Sequence, residues 1–272
     1  MKQITTDAIA EFWNREPCGT GEAITGGTPR YSRAYFEAVE AFRYAREPQI
    51  FSFAQFTRHH GEKVLEIGVG AGSDFLQWIR AGAEAYGVDL SSESVHHVRE
   101  RLAVYGVTAA DVRVADCEAL PYPNDMFDLV YSWGVLHHTP DTRRAIAEAV
   151  RVCRPGGRCK LMIYHRRSLF AFFLWARWAL LLGRPWRSFA WCLAHYLGSP
   201  GTKAFTRHEV EAFLDRQPVT NVRIDTHLTV YDTLIERGPL ARELARRLAA
   251  LSGHDRVGWF MTIQFTKRRQ AA

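Results

Sequence analysis

A glycine-rich segment at residues 64–72 constrains this 272-residue chain more than any other feature. Its sequence, VLEIGVGAG, is an apolar run that includes one acid, Glu66, and then continues into alternating glycines. The three glycines are Gly68, Gly70 and Gly72. Because glycine has no side chain, such a strand-to-helix turn lets a ligand approach the bare backbone. The segment therefore predicts a ligand site where a strand meets a helix.

The next apolar run, residues 85–88, ends at an acid, Asp89. An acid after the second strand can accept hydrogen bonds from ribose hydroxyls, which indicates a cofactor that contains a nucleoside. The dinucleotide fingerprint G-x-G-x-x-G would require glycine at Ser73, whereas the chain has E-x-G-x-G-x-G. A nicotinamide oxidoreductase shares the turn and the ribose acid, so that alternative stays open at this point.

Three later segments follow at spacings that suit alternating strands and helices. They are VADC at 114–117, FDLVYSWGVLHH at 127–138 and RPGG at 154–157. With the glycine-rich segment, they resemble the landmarks of the class I S-adenosylmethionine-dependent methyltransferases over roughly residues 60–165. The resemblance implies S-adenosyl-L-methionine as cofactor and S-adenosyl-L-homocysteine as product. A nicotinamide enzyme would leave Asp116 and the RPGG segment unexplained.

The same resemblance implies which residues bind the cofactor. They are Glu66, Gly68, Gly70, Gly72, Asp89, Leu90, Asp116, Cys117 and Ser132. Asp89 would hold the ribose diol, Asp116 would accept from the adenine amino group, and Ser132 would face the methionyl amine through its carbonyl. Glu66 would orient the glycine loop.

The alternation of apolar runs and helical patterns predicts an α/β fold, a Rossmann-like doubly wound sheet of seven strands. Strands are expected at 63–67, 85–89, 111–115, 127–132, 157–164, 219–226 and 258–266. Helices are expected at 72–82, 92–104 and 141–153, with a capping box opening another at Thr206. The resemblance implies that the seventh strand lies antiparallel beside the fifth.

Four segments are predicted along the chain. They are a helical N-terminal cap (1–60), the cofactor-binding core (61–165), an aromatic-rich helical insertion or lid (166–205) and the completion of the sheet (206–272). The insertion contains a strongly apolar run, residues 168–183. Three interpretations remain open: a helix packed wholly into the domain, a lid over the acceptor pocket, or an element at a membrane surface, which is the least favoured.

Three histidines are candidates for the catalytic residues. His137 and His138 follow the fourth strand, and His165 ends the fifth, so all three are expected at the cleft. A neutral imidazole can take a proton from an acceptor group. The alternative is that they pack or orient the loops in which they lie.

The expected substrate is a small, largely apolar acceptor, because the insertion offers rings and methyl groups together with arginines. The candidate substrate-binding residues are Trp13, Arg166, Arg167, Trp175 and Trp178. An anionic or phenolic group on the acceptor would suit the arginines. O-methylation is the default expectation, with nitrogen or carbon as alternatives, including the carbon of an isoprenoid diphosphate.

Charge and cysteine content narrow the class of protein. The formal net charge is +6, and residues 149–208 contain eleven Lys or Arg but no acid. A nucleic-acid methyltransferase is an alternative, but the [ND]-P-P-[YF] turn typical of base-amine enzymes is replaced by SWGV at 132–135, so no nucleic-acid partner is expected.

The five cysteines form no C-x-x-C pair, so no metal site or disulfide framework is predicted. With no apolar leader after Met1, a cytoplasmic location is expected, for a monomer or a homodimer.

Overall fold

The computed structural model describes residues 5–15, 17–197, 199, 201–234, 237–253 and 255–269, built around a seven-stranded sheet. The strands are β1 (Lys63–Ile67), β2 (Glu84–Asp89), β3 (Asp111–Val114), β4 (Phe127–Trp133), β5 (Cys153–Tyr164), β6 (Val219–His227) and β7 (Phe260–Lys267). Their order across the sheet is β3-β2-β1-β4-β5-β7-β6. The pairs from β3 to β5 are parallel, whereas β7 is antiparallel to both β5 and β6. The predicted Rossmann-like fold is confirmed, including the antiparallel seventh strand.

Burial explains why the central strands are continuous apolar runs. Four of the five residues of β1 and six of the seven of β4 are buried, because helices cover both faces of the sheet. The strand order reverses between β1 and β4, and ligands of such sheets bind at the carboxyl ends of the strands beside that reversal. The glycine-rich turn follows β1 at this point.

Strand β5 begins four residues earlier than expected, at Cys153 instead of residue 157. Residues 154–156, which were expected to precede the strand, are an irregular part of the strand itself. Phe127 pairs with Cys153 and Leu129 with Arg158, so β5 carries additional residues over this stretch. Gly156, with φ of +80°, permits the bend.

Eleven α-helices occur within the described residues. They are α1 (Thr6–Trp13), α2 (Glu22–Thr25), α3 (Arg33–Arg46), α4 (Gln49–Ala54), α5 (Ser73–Arg80), α6 (Ser92–Tyr105), α7 (Thr142–Val152), α8 (Leu169–Trp175), α9 (Phe189–Tyr196), α10 (Arg207–Leu214) and α11 (Pro239–Ser252). The predicted capping box at Thr206 and Glu209 begins α10. Helix α11 was not predicted from the sequence; its buried residues, Ala245 and Ala249, are small and give a weak apolar pattern.

Helix α3 dominates the N-terminal segment and packs against α5 and α6. Ser32 caps it by accepting the Tyr35 N–H, and Phe36 is fully buried against the core. Residues 1–4 and 16 of this predicted segment, and 270–272 of the last one, lie outside the described residues. The helix thus stands beside the carboxyl edge of the sheet.

The aromatic-rich insertion leaves the sheet at the end of β5 and returns to the same place. His165 forms a bridge with Phe205, and the Arg166 N–H donates to the Phe205 carbonyl at 2.9 Å. Helices α8 and α9 and a π-helical turn at Ala176–Leu180 lie between these two points. Within the described residues, no helix is long and apolar enough to cross a membrane.

Candidate functional site

A cavity of about 550 Å³ opens at the carboxyl edge of the sheet. The turns after β1, β2, β3 and β4 form one end of it, which we name the cofactor end. Helix α3, the ends of β4, β5 and β7, and Tyr231 form the other, which we name the acceptor end. The volume is typical of small-molecule sites.

The three predicted glycines differ in what surrounds them. A Cβ on Gly68 would lie 2.2 Å from Val135 Cγ2, and one on Gly72 would lie 2.9 Å from Val98 Cγ2. Gly70, with φ of +50°, has nothing within 4 Å of the position of a Cβ and lines the cavity. Gly68 and Gly72 are therefore required for packing, while Gly70 leaves space for a ligand.

Two aspartates line the cofactor end. Asp89 Oδ2 accepts the Gly70 N–H and its Oδ1 accepts the Ser91 N–H, both at 2.9 Å. Asp116 Oδ1 accepts the Glu118 N–H at 2.8 Å. Each carboxylate oxygen keeps a further lone pair, so both side chains can still accept from a ligand. Burial raises the pKa of Asp89.

Leu90 and Cys117, two further predicted residues, line the same end of the cavity. Cys117 is buried, and this burial raises the pKa of its thiol. The thiol is therefore neutral, and the predicted contact of Cys117 with the cofactor stays a prediction.

Glu66 lies buried at the base of the cavity and accepts the indole N–H of Trp78 at 2.9 Å. Burial, reinforced by the neighbouring Asp74, raises its pKa well above the ordinary value. Asp74 itself was not predicted. It accepts two hydrogen bonds from Arg43, at 2.9 and 2.6 Å, and one each from Tyr44 and Tyr131.

Ser132 is fully buried, and its hydroxyl donates to the Ile67 carbonyl at 2.9 Å, which joins β4 to the end of β1. The structure does not place it in the cavity lining. The three residues after it, Trp133, Gly134 and Val135, line the cavity instead. Its predicted contact through the carbonyl stays a prediction.

Of the three candidate catalytic histidines, only His138 reaches the cavity. Its Nδ1 lies 3.1 Å from Thr202 Oγ1, and burial lowers its pKa to about 4. His137 is fully buried beneath Tyr164, with ring centroids 3.8 Å apart. His165 is buried with Nδ1 3.1 Å from the Gly258 carbonyl. The cleft position predicted for His137 and His165 is thus corrected: both side chains are buried outside the cavity lining.

The candidate substrate-binding residues divide in the same way. Trp13 lines the cavity and lies edge-on to His138, with ring centroids 5.6 Å apart. Arg166 instead pairs with Glu209 at 2.6 Å.

The other three also lie away from the lining. The Trp175 indole donates to the Arg187 carbonyl at 2.7 Å, and Trp178 stacks on Tyr196 at 4.5 Å. Arg167 does not line the cavity either, and neither does any other described residue of 166–205. The insertion packs its rings against itself, so the prediction that it lines the acceptor pocket is wrong at these positions.

The acceptor end is formed instead by one face of α3 and the strand ends opposite it. Five residues at helical spacing line the cavity: Val39, Phe42, Arg43, Arg46 and Glu47. The i, i+3, i+4, i+7, i+8 spacing of this set shows that its members share one face of a helix, but not what that face meets.

Glu47 is the acid of this face. Its Oε2 accepts the indole N–H of Trp133 at 2.7 Å and lies 3.7 Å from Arg43. Burial raises its pKa above the ordinary value of a glutamate. Trp133, Met162, Tyr164, Tyr231 and Phe260 complete the wall around it. This end of the cavity therefore combines aromatic and aliphatic side chains with the Glu47 carboxylate and the side chains of Arg43 and Arg46.

No group of three His, Cys, Asp or Glu side chains among the described residues could hold a metal ion.

Comparison with known proteins identifies the core. Residues 65–161 match the family model described as "Methyltransferase domain". A 27-O-demethylrifamycin SV methyltransferase of Amycolatopsis mediterranei is 36% identical over 103 residues, which are 37% of this chain and 38% of the relative. A tocopherol O-methyltransferase of Arabidopsis thaliana is 29% identical over 179 residues, which are 60% and 51% of the two chains. The chain thus matches about two-fifths to half of the length of these curated relatives.

Solved structures show the same fold over nearly the whole chain. A geranyl diphosphate C-methyltransferase of Streptomyces coelicolor A3(2), in complex with Mg²⁺, geranyl diphosphate and S-adenosyl-L-homocysteine, aligns with a TM-score of 0.62. The alignment covers 96% of this chain and 97% of the other at 17% identity. At that identity the likeness concerns the fold alone.

The fold and the family match together define the class of protein. Residues 65–161 match the methyltransferase domain family, and over this domain the chain is similar to the class I S-adenosylmethionine-dependent methyltransferases. The cofactor of this class is S-adenosyl-L-methionine. The glycine-rich segment is thus of the methyltransferase type and not of the nicotinamide type, as the resemblance predicted.

Proposed function

We propose that this protein transfers the methyl group of S-adenosyl-L-methionine to a small, largely apolar acceptor molecule. The observation that supports the proposal most strongly is the continuous cavity, whose cofactor end carries Asp89 and Asp116 and whose acceptor end is lined mainly by aromatic and aliphatic side chains. A methyl transfer needs both reactants aligned in one space that excludes water. The relatives named as rifamycin and tocopherol methyltransferases support a small-molecule acceptor.

At the cofactor end, the chain supplies hydrogen-bond acceptors and exposed backbone. Asp89 would hold the two ribose hydroxyls and Asp116 the adenine amino group. Gly70 would let the nucleoside lie directly against the main chain. The methyl group would then point away from the glycine turn, toward Trp133 and the acceptor end.

At the acceptor end, the rings of Phe42, Tyr231 and Phe260 would hold the apolar body of the acceptor. Glu47 would receive the proton that a hydroxyl acceptor loses. Bound S-adenosyl-L-methionine would supply the methyl group: the acceptor oxygen would form the new bond to carbon while the electron pair of the carbon–sulfur bond stays on sulfur. The products are the methyl ether, S-adenosyl-L-homocysteine and one proton on Glu47, which favours O-methylation of a phenol or an alcohol.

The raised pKa of Glu47 suits this role, because a stronger base takes a proton from a weakly acidic hydroxyl more readily. His138 is the alternative base on the cavity wall. Its pKa of about 4 makes it neutral at physiological pH but a weak base. We therefore assign proton transfer to Glu47 and assign His138 a role in shaping the wall beside Trp13.

Thermal unfolding with three ligands tests the cofactor half of the proposal. We expect S-adenosyl-L-homocysteine and S-adenosyl-L-methionine to raise the melting temperature and NAD to leave it unchanged. A ligand at a hundredfold excess over its dissociation constant stabilises the fold by about 2.7 kcal/mol. Stabilisation by NAD alone would overturn the assignment.

A panel of phenols, apolar alcohols, amines and isoprenoid diphosphates tests the acceptor half. The measurement is the S-adenosyl-L-homocysteine released from S-adenosyl-L-methionine, which reports turnover for any acceptor. We expect release with apolar phenols or alcohols. Release only with RNA or DNA, with binding that weakens steeply as salt increases, would contradict the proposed acceptor class.

A further inference from the structure

The insertion ends in an exposed tip, which we define as residues 180–186. Its apolar side chains face solvent: Leu180, Leu181, Leu182 and Trp186 are 47%, 79%, 52% and 77% exposed. Neighbouring exposed leucines beside a tryptophan are uncommon on a soluble surface and mark an interaction site. Of the three interpretations of residues 168–183, the wholly packed helix is therefore wrong for this part of the insertion.

Hydrogen bonds at both sides of the tip hold its apolar side chains in the exposed position. The Arg184 N–H donates to the Ala179 carbonyl at 2.8 Å and the Gly183 N–H to the Leu180 carbonyl at 3.0 Å, which closes the turn. Gly183, with φ of +67°, permits this geometry. The Trp175 indole, bonded to the Arg187 carbonyl at 2.7 Å, fixes the other side. The tip is thus held with its leucines outward.

The charged residues beside the tip in the sequence are all basic. Four of the eleven basic residues in the acid-free segment 149–208 pair with acids: Arg151, Arg154, Arg158 and Arg166. Arg177 and Arg184 are exposed and form no ion pair with any described residue. Arg187 stacks on Trp191 at 3.8 Å. The tip therefore presents leucines and a tryptophan flanked by positive charge.

We propose that this tip docks on the surface of a bilayer that contains anionic lipids. Leucine and tryptophan side chains bury at the boundary between headgroups and acyl chains, and arginines nearby attract anionic headgroups. A second copy of the chain fits less well, because a twofold interface would bring each exposed arginine cluster against its own copy. The positive charge beside the tip thus favours an anionic lipid surface over a second copy of the chain.

The place of the insertion in the fold relates this docking to methyl transfer. This part of the inference rests on the proposed function. Phe170, at the start of the insertion, contacts Tyr231 of the acceptor end, with ring centroids 5.5 Å apart. The insertion and the cavity therefore lie at the same edge of the sheet. Docking of the insertion would therefore bring the edge of the sheet that holds the cavity toward a bilayer in which an apolar acceptor dissolves.

Vesicle co-sedimentation of the full chain tests the docking. We expect binding to phosphatidylglycerol–phosphatidylcholine vesicles and little binding to phosphatidylcholine alone. The double variant Leu181→Ser/Trp186→Ser should bind at least about tenfold more weakly, since it loses the two apolar side chains that would be buried in the bilayer. Arg177→Gln/Arg184→Gln should lose about fivefold for each arginine removed, and added salt should reduce that difference.

Val222→Ser is the matched control for these variants. Val222 is also exposed and apolar, but it lies on β6. Its neighbours on that strand, Val219 and Thr220, pair with the last residues of β7, Lys267 and Thr266. We expect its vesicle binding to equal that of the parent protein. All variants change exposed side chains, so their melting temperatures should stay close to that of the parent.

Quenching by brominated lipids locates the contact. We expect these lipids to quench part of the tryptophan fluorescence of the parent protein and less in Trp186→Phe, which keeps an apolar ring at the tip. Unchanged vesicle binding in Leu181→Ser/Trp186→Ser would overturn the proposal. Absence of vesicle binding, with a dimer that this variant abolishes, would overturn it in favour of self-association. The melting-temperature shift with S-adenosyl-L-homocysteine, measured without vesicles, tests the proposed function separately.

Discussion

The two ends of the cavity are assembled from the chain in opposite ways. The cofactor end comes mostly from turns that follow successive strands within residues 66–117, and much of its surface is backbone. The acceptor end combines α3 with the ends of β4, β5 and β7 and with Tyr231, so its side chains come from residues up to about 220 positions apart. The comparison shows that a site made of local turns can be recognised from short sequence motifs, whereas a site made of side chains distant in sequence cannot.

The largest expected effect separates the two ends. Asp89→Ala removes the acceptor for both ribose hydroxyls, and charge-assisted bonds contribute about 1.5–3 kcal/mol each. We expect the affinity for S-adenosyl-L-homocysteine to fall by roughly three orders of magnitude, measured by calorimetry. Asp111→Ala is the control, because Asp111 lies at the opposite end of the neighbouring strand and bonds Tyr122. An unchanged affinity in Asp89→Ala would remove the basis for the cofactor end.

Glu47→Gln is the corresponding change at the acceptor end. We expect the rate of methyl transfer to a hydroxyl acceptor to fall about a hundredfold, which is within the range for general-base catalysis, while the cofactor affinity stays constant. In the parent protein the rate should fall with decreasing pH below a pKa that lies above the ordinary glutamate value. This dependence should be absent in the variant. A large loss of cofactor affinity in Glu47→Gln would contradict the division into two ends.

These two predictions show what the sequence could and could not provide. Asp89 was predictable because its position relative to the glycine turn is fixed by one β-α-β unit. Glu47 was not, because its role depends on which face of α3 meets Trp133. The density of tryptophans in the insertion predicted a pocket wall, but Trp175 and Trp178 find partners inside the insertion itself.

The same contrast applies to the fold. The parallel strands were predictable because continuous apolar runs between glycines and acids mark buried strands. Helix α11 was not, because it buries only alanines while Leu240, Leu244 and Leu251 face solvent. The acid-free segment indicated a basic surface, but several of its arginines pair with acids that are distant in sequence, such as Arg158 with Glu62.

The stability of the folded protein should depend on pH through His138, which lies on the cavity wall. Burial lowers the pKa of His138 to about 4, so the folded state resists protonation that the unfolded chain accepts near pH 6.5. The resulting stability is present above pH 6.5 and is lost as the pH falls toward 4. At about 1.4 kcal/mol per pKa unit, His138 accounts for roughly 3 kcal/mol.

Urea unfolding of the parent and of His138→Gln at several pH values measures this loss. We expect the difference in unfolding free energy between the two proteins to change by that amount between pH 6.5 and pH 4. His97, which lies 3.1 Å from the Tyr35 hydroxyl and whose pKa burial lowers to about 3, should continue the loss in both proteins. A constant difference between the two proteins would show that His138 is accessible to solvent protons.

The smallest expected effect is that of Gly70→Ala, which tests whether the open space beside Gly70 is used by a ligand. Gly70→Ala adds a Cβ at φ of +50°, which costs roughly 1–2 kcal/mol of backbone strain, and places it where the nucleoside would lie. We expect a cofactor affinity about tenfold lower. Gly106→Ala is the matched control, since Gly106 has φ of +64° and open space around it but ends α6 outside the cavity. Equal cofactor affinities in the two variants would contradict this use of Gly70.

The ion pair between Arg43 and Asp74 links the timing of events at the two ends. Arg43 lies on the helix that covers the acceptor, and Asp74 lies two residues after the glycine turn, where it also accepts from Tyr44 and Tyr131. Any outward swing of the helix has to break this pair, which leaves a buried carboxylate short of its cation. If the proposed reaction requires this swing both for departure of the spent nucleoside and for entry of the next acceptor, the two events would share one energetic barrier, set by Arg43 and Asp74.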